Sequence, residues 1–183
     1  IREVTETERL KDELQDARYR FERAVEASNL GIWDWMVESG HVWFSDRWQT
    51  MLGYAPGEVE ANISSWEEAV HPDDWPAINA ALQPHLDGLT PEYSCEHRVR
   101  CKDGGWLWIH DRGRVVERDP AGKPLRMVGT HDDIQQRKDN EDVRERLTAL
   151  SHGLVQLDNV DQIVELCLIA LLGYLDADMA GFL

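Results

Sequence analysis

The stretch PEYSCEHRVRCKDGGWLWIHDRGRVVERDPAGKPLRMVGTHDD, residues 91–133, decides the fold. Its first part alternates between two faces, as a half-buried strand requires. The face expected to be buried carries Tyr93, Cys95, His97, Val99 and Cys101. Asp103-Gly104 tolerates the positive φ of a tight hairpin, and Asp119-Pro120-Ala121-Gly122 has the residues of a second turn. These signals predict a three-stranded antiparallel meander, with strands over 92–101, 106–117 and 125–130.

Composition bounds the function classes. The 183 residues contain 19 Lys and Arg against 35 Asp and Glu, a formal net charge of −16. This charge argues against nucleic acid and anionic lipid as partners, since both need clustered basic residues. There is no signal peptide and no apolar run of membrane-spanning length. Cys95, Cys101 and Cys167 lack metal or disulfide spacing, so we expect buried thiols and a cytoplasmic location. The apolar final residues suggest a fragment of a longer protein.

Two helical segments flank the meander region and carry apolar seams with heptad spacing. The first segment spans residues 1–28 and the second 139–158. The seam positions proposed for dimerisation are Leu10, Leu14, Phe21, Val143, Leu147, Leu150, Leu154 and Leu157. They favour a parallel homodimer joined by coiled coils. For the first helix, packing on its own domain and a frayed arm are the alternatives.

Shorter elements precede the meander. Residues 32–37 and 41–44 are predicted strands, and 46–52 is a predicted helix. Ser64 and Glu67 have the spacing of a capping box, which predicts a helix around 66–70. The paired carboxylates Asp73-Asp74 and Asp132-Asp133 both precede predicted helices. We therefore interpret them as caps rather than acid–base pairs. Asp133 with Gln136 resembles a second capping box.

Several motifs resemble those of the PAS domain, in its PAC-containing bacterial subclass. They are Gly31-Ile32-Trp33-Asp34-Trp35, Trp43-Phe44-Ser45-Asp46-Arg47-Trp48, Met51-Leu52-Gly53-Tyr54, His71-Pro72-Asp73-Asp74, the stretch Glu96 to Gly104, and Asp133-Ile134-Gln135. The resemblance covers residues 29–138. It implies an α+β fold with a five-stranded antiparallel sheet ordered 2-1-5-4-3 and short helices on one face.

Further expectations depend on the same resemblance. In this family Asp133 and Ile134 would couple the last strand to an output helix, and Gln135 replaces the usual Thr. Residues 159–183 resemble, more weakly, the first helix and strand of a GAF domain.

Ligand binding stays open from the sequence. A cupped sheet closed by helices can hold a small molecule. His85 and His97 are candidate haem ligands, and Trp66 or Trp75 could stack on a non-covalent flavin; the reactive-Cys motif of photochemical flavin domains is absent. Structural roles explain all of these residues without a ligand. No cofactor or metal is required, and no catalytic constellation is found.

The sequence therefore predicts a non-enzymatic sensory and dimerisation module of a bacterial signalling protein. Its output would be a histidine kinase or a cyclic-di-nucleotide enzyme outside these residues. The alternatives are a sensor loaded with haem, flavin or a metabolite, and a fragment of an enzyme.

Overall fold

The computed structural model describes residues 6–155, and its core is a five-stranded antiparallel sheet. The strands are β1 (Gly31–Met36), β2 (Val42–Phe44), β3 (Tyr93–Arg100), β4 (Trp106–Arg118) and β5 (Pro124–Asp133). Their order is β2-β1-β5-β4-β3, which confirms the predicted order. The predicted buried face of β3 is also confirmed, because Tyr93, Cys95, His97 and Val99 are all buried. β5 is longer than predicted, so Asp132 lies in a strand and caps no helix.

Five α-helices and one 3₁₀ turn complete the described chain. They are α1 (Glu6–Ser28), α2 (Asp46–Met51), α3 (Ile63–Glu67), the 3₁₀ turn Pro72–Asp74, α4 (Trp75–Leu86) and α5 (Gln135–Val155). Trp48 of α2, Trp66 of α3 and Ile78 of α4 join the core cluster on the buried face of the sheet. None of these helices has the length and apolarity to cross a bilayer, among the residues described.

One predicted helix start and one predicted cap are wrong. α3 begins three residues before the predicted 66–70, because Asn62 Oδ1 accepts hydrogen bonds from the backbone N and the hydroxyl of Ser64. Asp74 stands before α4 but makes no capping hydrogen bond. Its carboxylate instead accepts from the backbone N and the guanidinium of Arg98, at 2.6–3.0 Å. His71, through its ring, caps the 3₁₀ turn.

Close packing at the centre of the sheet depends on two glycines. Gly113 of β4 and Gly129 of β5 face each other in register, and Gly129 also pairs with Trp33 of β1. A Cβ on Gly113 would lie 2.5 Å from the Trp33 ring, and one on Gly129 would overlap the same ring and the Arg112 carbonyl. The indole therefore crosses the sheet only because both positions lack a side chain.

The chain divides after Gln135 into two compact units. The seam side chains that are described are largely exposed in the single chain: Leu10 (55%), Leu14 (71%), Val143 (48%) and Leu147 (58%). Leu150 is half-buried. The Phe21 and Leu154 side chains, Leu157, Cys167 and the GAF-like stretch 159–183 lie outside the described residues. Cys95 is a buried free thiol and Cys101 a half-buried one.

Candidate functional site

A cavity of about 120 Å³ lies between the buried face of the sheet and helices α3 and α4. Its walls are mostly aromatic or aliphatic, with a few polar groups. It is lined by Trp33, Trp35, Val42, Phe44, Ile63, Trp66, Glu67, Trp75, Asn79, Leu82, Tyr93, Asp111, Met127 and His131. Such a concave apolar site with few polar groups is typical of small-molecule binding.

A series of buried hydrogen bonds between side chains of four elements forms one side of the cavity. The Trp48 indole N–H donates to His131 Nδ1 at 2.8 Å. His131 Nε2 lies 3.1 Å from Asp111 Oδ1, which also accepts from the Trp33 indole N–H at 2.9 Å. Asp111 and His131 are 3% and 2% exposed. This series of hydrogen bonds joins α2, β5, β4 and β1 around the buried carboxylate.

Three polar groups of the cavity-lining residues have no hydrogen-bond partner within the part of the chain described. They are the indole N–H groups of Trp35 and Trp66 and the hydroxyl of Tyr93. Burial, and then the negative charge of Asp111, raise the pKa of Tyr93, so the phenol keeps its proton. Unsatisfied buried donors are costly and rare, and a bound molecule with an acceptor would satisfy them.

The predicted ligand candidates occupy different places. Trp75 lines the cavity and contacts Trp66 edge-on, with ring centroids 5.6 Å apart. His85 is buried with both ring nitrogens engaged: Nδ1 lies 2.9 Å from the Thr90 carbonyl, and Nε2 accepts from the Val115 N–H. This arrangement gives His85 a structural role in holding α4 against β4.

His97 is fully buried beside the cavity but does not line it. Neither ring nitrogen has a hydrogen-bond partner among the residues described. The ring contacts Trp66 and His131 edge-on, at 5.7 and 6.0 Å between centroids. Burial lowers the pKa of His97 to about 4, against the opposing charge of Asp111. The ring is therefore neutral at pH 7.

The predicted coupling residues form the link from β5 to α5. Asp133 Oδ1 accepts from the N–H of Gln135, the first residue of α5, at 3.0 Å. The Gln136 side chain of the predicted capping box donates instead to Asn140. Ile134 is buried, and its N–H donates to the Trp108 carbonyl at 3.0 Å. Gln135 Oε1 accepts from the Trp108 N–H at 3.0 Å. Where the resemblance expects Thr, the longer amide thus holds the start of α5 to β4.

Asp111 and His131 were not predicted from the sequence, although strand alternation places both on the buried face. Asp111 follows Ile109 by two residues in β4, and His131 follows Met127 by four in β5. A charged residue in such a position is the available signal of a buried polar site. Metal chemistry has no such signal, since the described residues contain no group of three His, Cys, Asp or Glu suited to an ion.

Comparison with known proteins agrees with this architecture. The family model described as "PAS fold" matches residues 41–131. A solved structure of a sensory box histidine kinase/response regulator from Burkholderia thailandensis is 36% identical, with a TM-score of 0.63. The match covers 75% of this chain and 99% of that one. The N-terminal domain of a diguanylate cyclase with PAS/PAC sensor from Marinobacter aquaeolei shares the fold, with 22% identity, a TM-score of 0.52, and coverage of 60% of this chain and 98% of that one.

Two curated relatives are much longer signalling proteins. Probable diguanylate cyclase DgcE of Escherichia coli is 26% identical over 138 residues, 75% of this chain and 12% of that protein. Hybrid signal transduction histidine kinase A of Dictyostelium discoideum is 36% identical over 80 residues, 43% of this chain and 4% of that protein. The chain thus spans a small part of each. The near-complete match to the Burkholderia domain, with the family model and the sheet order, shows that this chain belongs to the PAS domain family.

Proposed function

We propose that the chain is the cytoplasmic sensory PAS module, of the PAC-containing type, of a longer signalling protein. In this proposal a small molecule occupies the cavity, and its effect passes through the start of α5 to an output domain. The single observation that carries the proposal is that the polar cavity wall and the start of α5 share the same two strands. Asp111 pairs in register with His131, and two residues along the ladder Ile109 pairs with Asp133.

The path between the two sites is short and continuous. Asp111 and Trp108 are three residues apart on β4, about 10 Å at the usual rise of roughly 3.3 Å per residue. Trp108 holds both Ile134 and Gln135 through hydrogen bonds. A ligand that changed the position of β4 against β5 would therefore act on the first residues of α5. This is coupling through packed, hydrogen-bonded elements.

Dimerisation through the flanking helices is the second part of the proposal. The exposed leucines of α1 and α5 support parallel pairing of residues 1–28 and of 139–158 between two copies. The output would be a histidine kinase or a cyclic-di-nucleotide enzyme, as the names of the relatives suggest. Catalysis would then belong to residues outside this chain, after a GAF-like domain beginning at about residue 159.

The cavity supports a small metabolite better than haem or flavin. Its volume of about 120 Å³ is below the roughly 300–1,000 Å³ of pockets that hold drug-sized ligands. A colourless preparation with a retained low-mass molecule in native mass spectrometry would agree with this choice. A haem or flavin absorption spectrum would contradict it.

The sensory role is tested by filling the cavity. Leu82 lines the cavity, so Leu82→Trp should displace any ligand and change backbone amide exchange at Ile134 and Gln135. Leu89 is 77% exposed and lies outside the cavity, so Leu89→Trp is the matched control and should change neither. Unchanged exchange at Ile134 and Gln135 in a folded Leu82→Trp protein would refute coupling.

The dimer is tested separately by sedimentation. The double substitution of Leu147 and Leu150 by Glu should yield a folded monomer, because it places charges in the seam. Thr148→Glu with Ala149→Glu adds the same charge to α5 off the seam and should leave a dimer. Dimers that persist in the first variant would show that α5 is not the interface.

A further inference from the structure

The charge of the cavity is unbalanced, and this points to the chemistry of its ligand. Asp111 is buried, and its two assigned hydrogen-bond donors are the Trp33 indole and the His131 ring. No Lys or Arg is among the described residues that line the cavity, whereas Glu67 adds a second carboxylate on its exposed side. A buried carboxylate without a cationic partner is costly to maintain.

His131 does not supply the missing positive charge. An indole N–H can only donate, so His131 Nδ1 must accept the 2.8 Å hydrogen bond from Trp48. The ring then has a single N–H, at Nε2, which donates to Asp111. Histidine with one N–H is neutral, so the hydrogen-bond pattern leaves the Asp111 charge uncompensated.

The remaining walls suit a cation. Trp33, Trp35, Trp66, Trp75 and Tyr93 surround the cavity, and the face of an aromatic ring attracts a cation, most strongly for Trp. A ligand with an acceptor would also meet the unpartnered indole N–H groups and the Tyr93 hydroxyl. These neutral donors offer an anion only dipoles, whereas a cation can form a charge-assisted hydrogen bond with the Asp111 carboxylate, so the cavity favours a cation over an anion.

We propose that the cavity binds a small organic cation, an amine whose ammonium group donates to Asp111 while its apolar part packs against the tryptophans. The inference rests on the proposed function, which makes this cavity the ligand site. Its size sets the class: an apolar protein cavity of about 150 Å³ holds benzene, so a cavity of about 120 Å³ takes no more than one ring or an equivalent short chain beside the ammonium group.

The test uses three probes of one shape that differ in charge: benzylamine, benzyl alcohol and benzoate. Each is titrated into the protein at neutral pH, where an alkylamine is protonated. Binding is followed through the indole N–H resonances of Trp35 and Trp66 in two-dimensional NMR. We expect benzylamine to bind at least about ten-fold more tightly than benzyl alcohol, and benzoate to bind most weakly.

Asp111→Asn tests the residue itself, because Asn keeps an acceptor oxygen for Trp33 and His131 but removes the charge. The benzylamine affinity should fall at least about ten-fold, to that of benzyl alcohol. Glu60→Gln removes an exposed charge outside the cavity. It should leave the preference for benzylamine unchanged, because that preference depends on Asp111 and not on the overall negative charge of the protein. If Asp111→Asn does not fold, the order of the three probes on the wild-type protein decides.

Equal binding of all three probes, tighter binding of benzoate, or no response of either indole overturns the cation assignment. The sensory role is judged independently by the exchange response of Leu82→Trp. A cavity that binds benzyl alcohol or benzoate best, with a normal Leu82→Trp response, would refute this inference alone. If Leu82→Trp leaves amide exchange at Ile134 and Gln135 unchanged while the wild-type protein binds benzylamine, the coupling to α5 is refuted instead.

Discussion

Acid should destabilise this domain through the buried imidazole of His97. The side chain is fully buried on β3, with neither ring nitrogen hydrogen-bonded within the described residues. Burial lowers its pKa from 6.5 to about 4. Between those two pH values the unfolded chain binds a proton that the folded chain does not. Folding stability therefore rises with pH across this window and falls on acidification.

The magnitude follows from the two pKa values. At about 1.4 kcal/mol per pKa unit, the difference between 6.5 and about 4 corresponds to about 3 kcal/mol. The contribution is complete above the unfolded value and lost progressively as the pH falls to the folded one. For a domain with a total stability of about 5–15 kcal/mol, this is a large loss.

Urea unfolding followed by tryptophan fluorescence, at about pH 7 and about pH 4.5, measures the effect. His97→Leu keeps a side chain of similar volume and removes the titrating group, so it should flatten the pH dependence by about 2 kcal/mol over this range. His41 is exposed, so His41→Gln is the matched control and should behave as the wild type. Equal losses of stability on acidification in His97→Leu and the wild type would refute the reasoning.

Three further predictions concern packing, a salt bridge and the start of α5. Gly129→Ala should cost about 1–3 kcal/mol in urea unfolding, because the new methyl group overlaps the Trp33 ring. Asp74→Asn should cost about 1–3 kcal/mol, since burial opposes ionisation of Asp74 but the hydrogen bonds from Arg98 prevail and lower its pKa. That contribution is present above the ordinary pKa of 3.8 and lost below it. Gln135→Ala should raise the amide exchange rate of its β4 partner Trp108 about five-fold, because it removes one hydrogen bond of about 1 kcal/mol.

Each of these predictions has a matched control. Gly105→Ala should be nearly neutral, because only the Asp103 carboxylate lies near the added methyl group. Asp73 is exposed, so Asp73→Asn should cost far less than the change at its neighbour. Gln135→Glu keeps an acceptor oxygen and should preserve slow exchange. If a control variant shows the same effect as its test variant, the structural role assigned to the substituted residue is contradicted.

The meander could be predicted because its determinants are local. Alternation in β3 and the turn residues around Gly104 and Gly122 act within a few positions, and the strand order came from family resemblance. Helix starts were less predictable, because Asn62 competes with the Ser64 and Glu67 pattern and two caps cannot both begin one helix. The spacing of residues does not show which geometry prevails.

Long-range partners account for what the sequence did not predict. Asp74 lies 24 residues from Arg98, and a carboxylate before a helix is equally suited to capping when that partner is unknown. The cavity network joins Trp48 to His131 across 83 residues, which requires the sheet register. The identity of Asp111 as a buried group was accessible from alternation, but its hydrogen-bond donors were not.

The crossing of Trp33 over Gly113 and Gly129 constrains how this sequence can diversify. Because an added methyl group at either glycine meets the indole, the large ring must be lost before position 113 gains a side chain. Position 129 stays glycine even then, because its Cβ would also overlap the Arg112 carbonyl. Selection from a library randomised at all three sites should therefore return glycine at 129 throughout, tryptophan at 33 only with glycine at 113, and larger residues at 113 only with a small residue at 33. The residues at the three positions would therefore be constrained jointly by the space that the indole occupies.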